Sequence, residues 1–143
     1  MATIKRSADA VWQGSGKDGQ GRISTESGAI SNTPYSFAKR FGEEKGTNPE
    51  ELIAAAHASC FTMALAFQLQ RAGHTAEELR TSARLSLEQE SGGWRIAAIA
   101  LSLMGRVPGI APDEFQRLAD EAKANCPVSK VLNAQISLEA SLA

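Results

Sequence analysis

Cys60 and Cys126 are the two cysteines of this 143-residue chain, and thiols are its most reactive side chains. A thiol attacks or binds only as the thiolate, so whatever lowers its pKa decides whether it does chemistry. Cys60 lies in "KGTNPEELIAAAHASCF", deep in an apolar run. Cys126 lies in "NCPVSKVL", immediately before Pro127. Proline favours the first position of a helix, so "PVSKVL" reads as a short helix with Cys126 at its N-terminus, where the dipole favours a thiolate. Cys60, about three turns into its own helix, gains little from a dipole that acts within the first turn. It needs an external cation. Arg40, in "SFAKRFGEEKG", is the candidate, and Glu50 is placed to fix the guanidinium by a bidentate pair. The plainer alternatives are a Cys60 that packs as a small hydrophobe, an Arg40 in solvent, and a Glu50 that only complements the helix dipole.

His57 and Cys60 are three residues apart on one helix, and Cys126 could complete the three protein ligands of a catalytic zinc site. No CxxC or HxxxH spacing supports that, so His57 is assigned to hydrogen bonding in the core or at an interface and no metal is expected. A thiol–disulfide oxidoreductase is disfavoured by the same lack of a CxxC near a βαβ unit. A further alternative is a non-catalytic binding protein with inert thiols and a small-molecule or lipid groove at a dimer interface. Inert thiols would lie more than about 7 Å apart between Cα atoms, too far to bridge.

The elements that must position these residues begin with the clearest local signal in the chain. Asn48 can cap a helix, Pro49 fits its first position, and Glu50 and Glu51 complement its positive end. The helix is expected to run to about Arg71 and to end at Gly73. Before it, Ala8, Ala10 and Trp12 fall on one face of a strand, "RISTESGAI" reads as a second strand bending at Gly28, and Pro34 makes "SNTPYSFAKRF" an edge strand or loop. After it, "TSARLSLEQ" alternates, "SGG" turns, and "WRIAAIALSLM" is a strand apolar on both faces, hence central. "APDEFQRLADEAKANC" places Phe115, Leu118, Ala119 and Ala122 at helical spacing, and "QISLEASL" closes with Ile136, Leu138 and Leu142 facing inward. The order predicts one α+β domain over residues 1–143. A helix apolar on nearly every side is hard to surround with one small sheet, so an obligate homodimer with Leu52–Leu69 at or near its interface is expected.

With 43% hydrophobic and 22% charged residues and a net charge of −1, the composition is that of an ordinary globular protein without the basic patch that nucleic acid requires. The Leu52–Leu69 run is diluted by His57, Ser59, Thr62 and Gln68, which argues against a membrane span. "MATIKRSADAVWQG" has no apolar leader core, and two widely spaced cysteines suit a reducing cytoplasm.

"STESGAI", "FAKRFGEEKGTNPEELIAAAHASCFTMAL", "VPGI" and "NCPVSKVL" together resemble the OsmC/Ohr family over essentially the whole chain. The resemblance implies antiparallel sheets wrapped around long central helices in an intertwined homodimer, with two active sites at the subunit interface. It implies a cytoplasmic, thiol-dependent peroxidase of oxidative and osmotic stress that reduces organic hydroperoxides, and hydrogen peroxide more weakly. By the same resemblance Cys60 is the peroxidatic thiol, Cys126 the resolving thiol that closes a Cys60–Cys126 disulfide, and Arg40 with Glu50 the activating pair. The Ohr branch carries its arginine nearer the N-terminus, where this chain has Arg22; Arg40 matches the OsmC position. The reductant implied is a dithiol or lipoyl-type thiol, and no metal, haem or flavin takes part.

Overall fold

The computed structural model describes residues 2–143, which form two compact units, one ending at Leu52 and the other running from Ile53 to Ala143. The first holds an antiparallel sheet of β1 (Ala8–Gln13), β2 (Gln20–Thr25) and β3 (Thr33–Tyr35), with β2 central. Pro34 sits in the three-residue edge strand β3, where its missing N–H costs least. Gly21 is required on β2, because a Cβ there would collide with the rings of Tyr35 and Trp12. The expected Ala8–Ala10–Trp12 face exists, but every residue of β1 is exposed. A short helix that patterning did not reveal, α1 (Phe37–Phe41), follows; Ser36 caps it by accepting the Lys39 N–H at 3.2 Å.

The long helix α2 (Pro49–Arg71) starts and stops where its signals predict. Asn48 Oδ1 accepts the Glu51 N–H at 2.8 Å. At the other end Gly73 takes φ +88°, and the N–H groups of Gly73 and His74 bond to the carbonyls of Gln70 and Leu69, the paired closure of a Schellman motif.

From Ile53 onward, α2 packs with β4 (Glu78–Glu90), β5 (Gly93–Arg106), α3 (Pro112–Asn125), α4 (Pro127–Val131) and β6 (Gln135–Leu142). The sheet order is β4-β5-β6 with β5 central, as expected. β4 and β5 are antiparallel, whereas β5 and β6 are parallel, so the antiparallel expectation holds for every pair but that one. The intervening α3 and α4 form the crossover that a parallel return needs. β5 is not buried on both faces: Ile99, Leu101 and Leu103 point into the core while Ala100 and Ser102 are exposed.

Every buried hydrophobic residue among the described residues lies between Phe61 and Cys126. α2 supplies Phe61, Leu65 and Leu69, four residues apart and continuing the line of His57; α3 supplies the predicted Phe115, Leu118, Ala119 and Ala122. Burying each of the large apolar chains stabilises the unit by about 1.5–3 kcal/mol. The rest of α2 has no such cover. Met63 is 64% and Phe67 50% exposed, so the helix shows a buried stripe and an open apolar face. By length and composition, with mean hydropathy 1.6, it could also cross a bilayer.

Candidate active site: a charged pair and a thiol pair

Arg40 and Glu50 meet in the first unit as the sequence predicts. Arg40 Nε donates to Glu50 Oε1 at 2.9 Å and Nη2 to Oε2 at 2.8 Å, a two-pronged pair that fixes the plane of the guanidinium. Arg40 is held above the Phe41 ring, its Cζ 5.1 Å from the centroid. The hydrogen bonds that Arg40 donates to Glu50 raise the Arg40 pKa; burial, the next influence, lowers it, and the Glu50 charge adds a smaller rise. Asn48 sets the separation of the two partners. While Oδ1 caps α2, its Nδ2 donates to Lys39 O at 3.1 Å, tying the residue before Arg40 to the helix start that carries Glu50. Sequence patterning identified the cap but not this second bond. Arg22, the other arginine considered, lies on β2 and donates from Nη1 to Asn32 O at 3.1 Å.

The thiols meet in the second unit. Cys126 is fully buried and Cys60 partly so. The two thiols are hydrogen-bonded to one another, with the sulfurs 2.8 Å apart. α2 presents Cys60, and Cys126 sits at the junction where α3 ends and α4 begins, its backbone N–H bonded to Ala122 O. Burial, and next the hydrogen bond with Cys126, push the Cys60 thiol above its ordinary value of 9.0. The Val128 backbone N–H works the other way, favouring the thiolate. Cys126 is the N-cap residue of α4, and its side chain makes no cap hydrogen bond. The leading influences on Cys60 include no cation.

Beside the sulfurs runs a second link between the same segments. His57, on α2, is fully buried, and its Nε2 lies 2.8 Å from Ser129 Oγ on α4. Its Nδ1 is buried without a partner, and burial lowers the imidazole pKa from its ordinary 6.5. The expected hydrogen-bonding role of His57 is therefore met in the core. Ser129 and Val128 escaped sequence reasoning. The only signal was the equal spacing of "HASC" and "CPVS", which sets a polar residue three positions outside each thiol.

Residues 42–141 match the family model described as OsmC-like protein. Over 140 residues, 98% of each chain, the sequence is 49% identical to peroxiredoxin OsmC of Escherichia coli K12. It is 31% identical over 115 residues to an organic hydroperoxide resistance protein of Xanthomonas axonopodis pv. citri, covering 78% of this chain and 76% of that one. Among solved structures, an OsmC-like protein of unknown function from Vibrio cholerae superposes with a TM-score of 0.77 at 15% identity, over 96% of this chain and 99% of the other. That likeness is one of fold. Sequence and fold together place this chain in the OsmC-like family.

Proposed function

We propose that the protein is a cysteine peroxidase that reduces organic hydroperoxides to alcohols, and hydrogen peroxide more weakly. The observation that carries this is the 2.8 Å contact between Cys60 and Cys126, reinforced by relatives named peroxiredoxin and organic hydroperoxide resistance protein. Inert thiols have no reason to meet, and the contact speaks against the binding-protein alternative.

The Cys60 thiolate attacks the distal oxygen of ROOH, the O–O bond breaks, and RO⁻ leaves to take up a proton as ROH. The sulfur becomes a sulfenic acid. Cys126 then attacks it, forming the Cys60–Cys126 disulfide and releasing water. Bonding needs the sulfurs to close from 2.8 Å to about 2.05 Å, which local adjustment supplies. A dithiol or lipoyl-type reductant returns both thiols. Cys60 is the site of attack because it is the partly exposed member of the pair.

A thiol pushed up by burial is protonated at neutral pH, so activation must come from a cation. Arg40, oriented by Glu50, is that cation, and it also stabilises charge developing on the peroxide oxygens. Residues 1–143 are taken to act as one domain. The open face of α2 and an adjoining groove of about 560 Å³, lined by Ala55, Ala58, Met63, Ala66 and Thr81, support a homodimer in which that face is covered and two active sites form at the interface. The apolar setting of Cys60 against Phe61 and Leu65 suits alkyl or lipid hydroperoxides. The reaction is assigned to the cytoplasm, where thiols stay reduced.

Titrating reduced protein with cumene hydroperoxide in a single turnover tests the reading. The expected result is loss of two thiols per chain, a Cys60–Cys126 link by mass spectrometry, and no reaction in Cys60→Ser. Survival of both thiols in excess peroxide would sink it. Light scattering should give twice the 15.2 kDa chain mass.

A further inference from the structure

The cycle above leaves His57 and Ser129 without a part, although their geometry parallels that of the thiols. His57 precedes Cys60 by three residues and Ser129 follows Cys126 by three. The two links, Nε2 to Oγ and Sγ to Sγ, both span 2.8 Å and join the same two segments side by side. α4 has five residues, none of them fully buried. A helix that short has little stability of its own. What holds its first turn against α2 therefore matters for the placement of Cys126. On the α2 side, the fully buried imidazole has Ser129 as its single hydrogen-bond partner, since Nδ1 has none. Moving α4 away would strip the remaining ring nitrogen of its partner and leave the buried imidazole unsatisfied.

We propose that His57 and Ser129 are a positioning pair that keeps Cys126 against Cys60 while the sulfurs are not covalently joined. The inference rests on the peroxidase reading and concerns the fate of its intermediate. The Cys60 sulfenic acid has two exits. It condenses with the Cys126 thiol, giving the disulfide and water. Alternatively a second ROOH transfers an oxygen to it, giving the sulfinic acid and ROH; sulfur is oxidised by two further electrons as the O–O bond is cleaved. The positioning pair favours the first exit by holding the attacking thiol at contact distance. Neither residue touches the peroxide, so the first oxidation of Cys60 does not depend on them.

The test follows both exits by rapid quench and mass spectrometry in wild type, Ser129→Ala, Ser129→Thr and His57→Gln, over a range of cumene hydroperoxide concentrations. Ser129→Ala should form the Cys60 sulfenic acid at the wild-type rate but close the disulfide about tenfold more slowly. Its sulfinic acid should appear at about tenfold lower peroxide. Ser129→Thr keeps the hydroxyl, and His57→Gln offers an amide at the place of Nε2; both should restore the wild-type partition. General loosening of the fold would not leave the first step intact or be rescued in this way. Wild-type closure and sulfinic threshold in Ser129→Ala would overturn the positioning role. A wild-type protein that never forms the Cys60–Cys126 disulfide would instead overturn the peroxidase reading, and the positioning pair with it.

Discussion

The two units of this chain divide the work in opposite ways. The segment through Leu52 has a sheet, a short helix and a well-built charged pair, yet it contributes no buried hydrophobic residue among those described. The unit from Ile53 to Ala143 holds the whole apolar core and both sulfurs, but its leading influences on Cys60 include no cation. One region holds a charge in place with polar bonds near solvent; the other brings two thiols together where burial disfavours the Cys60 thiolate. The lesson is that a buried thiol and an activating charge make conflicting demands. Burial brings two sulfurs into contact and excludes water, but it raises the cost of the thiolate. An arginine would lose hydration in the same core, so it is kept at a partly exposed position, 38% for its side chain, and oriented by a carboxylate.

If that division is functional, the sharpest break comes from Arg40. Arg40→Ala should lower kcat/KM for cumene hydroperoxide by on the order of a hundredfold, as loss of a charge-stabilising donor does. Its pH–rate profile should also move to higher pH, because Cys60 would have lost the charge that offsets its raised pKa. An unchanged rate would mean that the first unit takes no part in chemistry. Glu50→Gln is the finer cut. It keeps the shape but gives up a charge-assisted pair, and a loss of about tenfold in kcat/KM is expected, with little change in the rate of disulfide closure.

The smallest effect concerns the second unit alone and is read as stability. His57 has a folded pKa below its ordinary 6.5, so its contribution is present above that value and is lost as pH falls through the folded one. Cys60 has a folded pKa above 9.0, so its contribution is present below that value and is lost as pH rises through the folded one. Urea midpoints should therefore be highest between these limits and decline on either side. Cys60→Ala should flatten the alkaline decline and leave the acid one in place. An alkaline decline that persisted in Cys60→Ala would place the raised titration elsewhere.

Much of this was legible in the residues because it is local. Asn48 and Pro49 announce the start of α2, Gly73 its end, and the spacing of Phe115, Leu118, Ala119 and Ala122 the buried side of α3. Each depends on contacts within a turn or two of chain. The Arg40–Glu50 pair spans ten residues, and the need of Cys60 for a cation pointed to it, as did the family resemblance. The helix α1 was missed because a single turn capped by Ser36 has no period to detect. β5 was read as buried on both faces because alanine looks apolar whether it is covered or not.

By itself, then, the sequence determined the elements, the family and the residues able to do chemistry, since capping, turn and periodicity rules act over short stretches of chain. Tertiary structure decided the rest. It set Cys126 against Cys60 across 66 residues and paired His57 with Ser129 across 72. It also covered one stripe of α2 and left Met63 and Phe67 exposed. The physical reason is the same in each case: partners distant in sequence, and the burial that shifts a pKa, arise only when the chain packs.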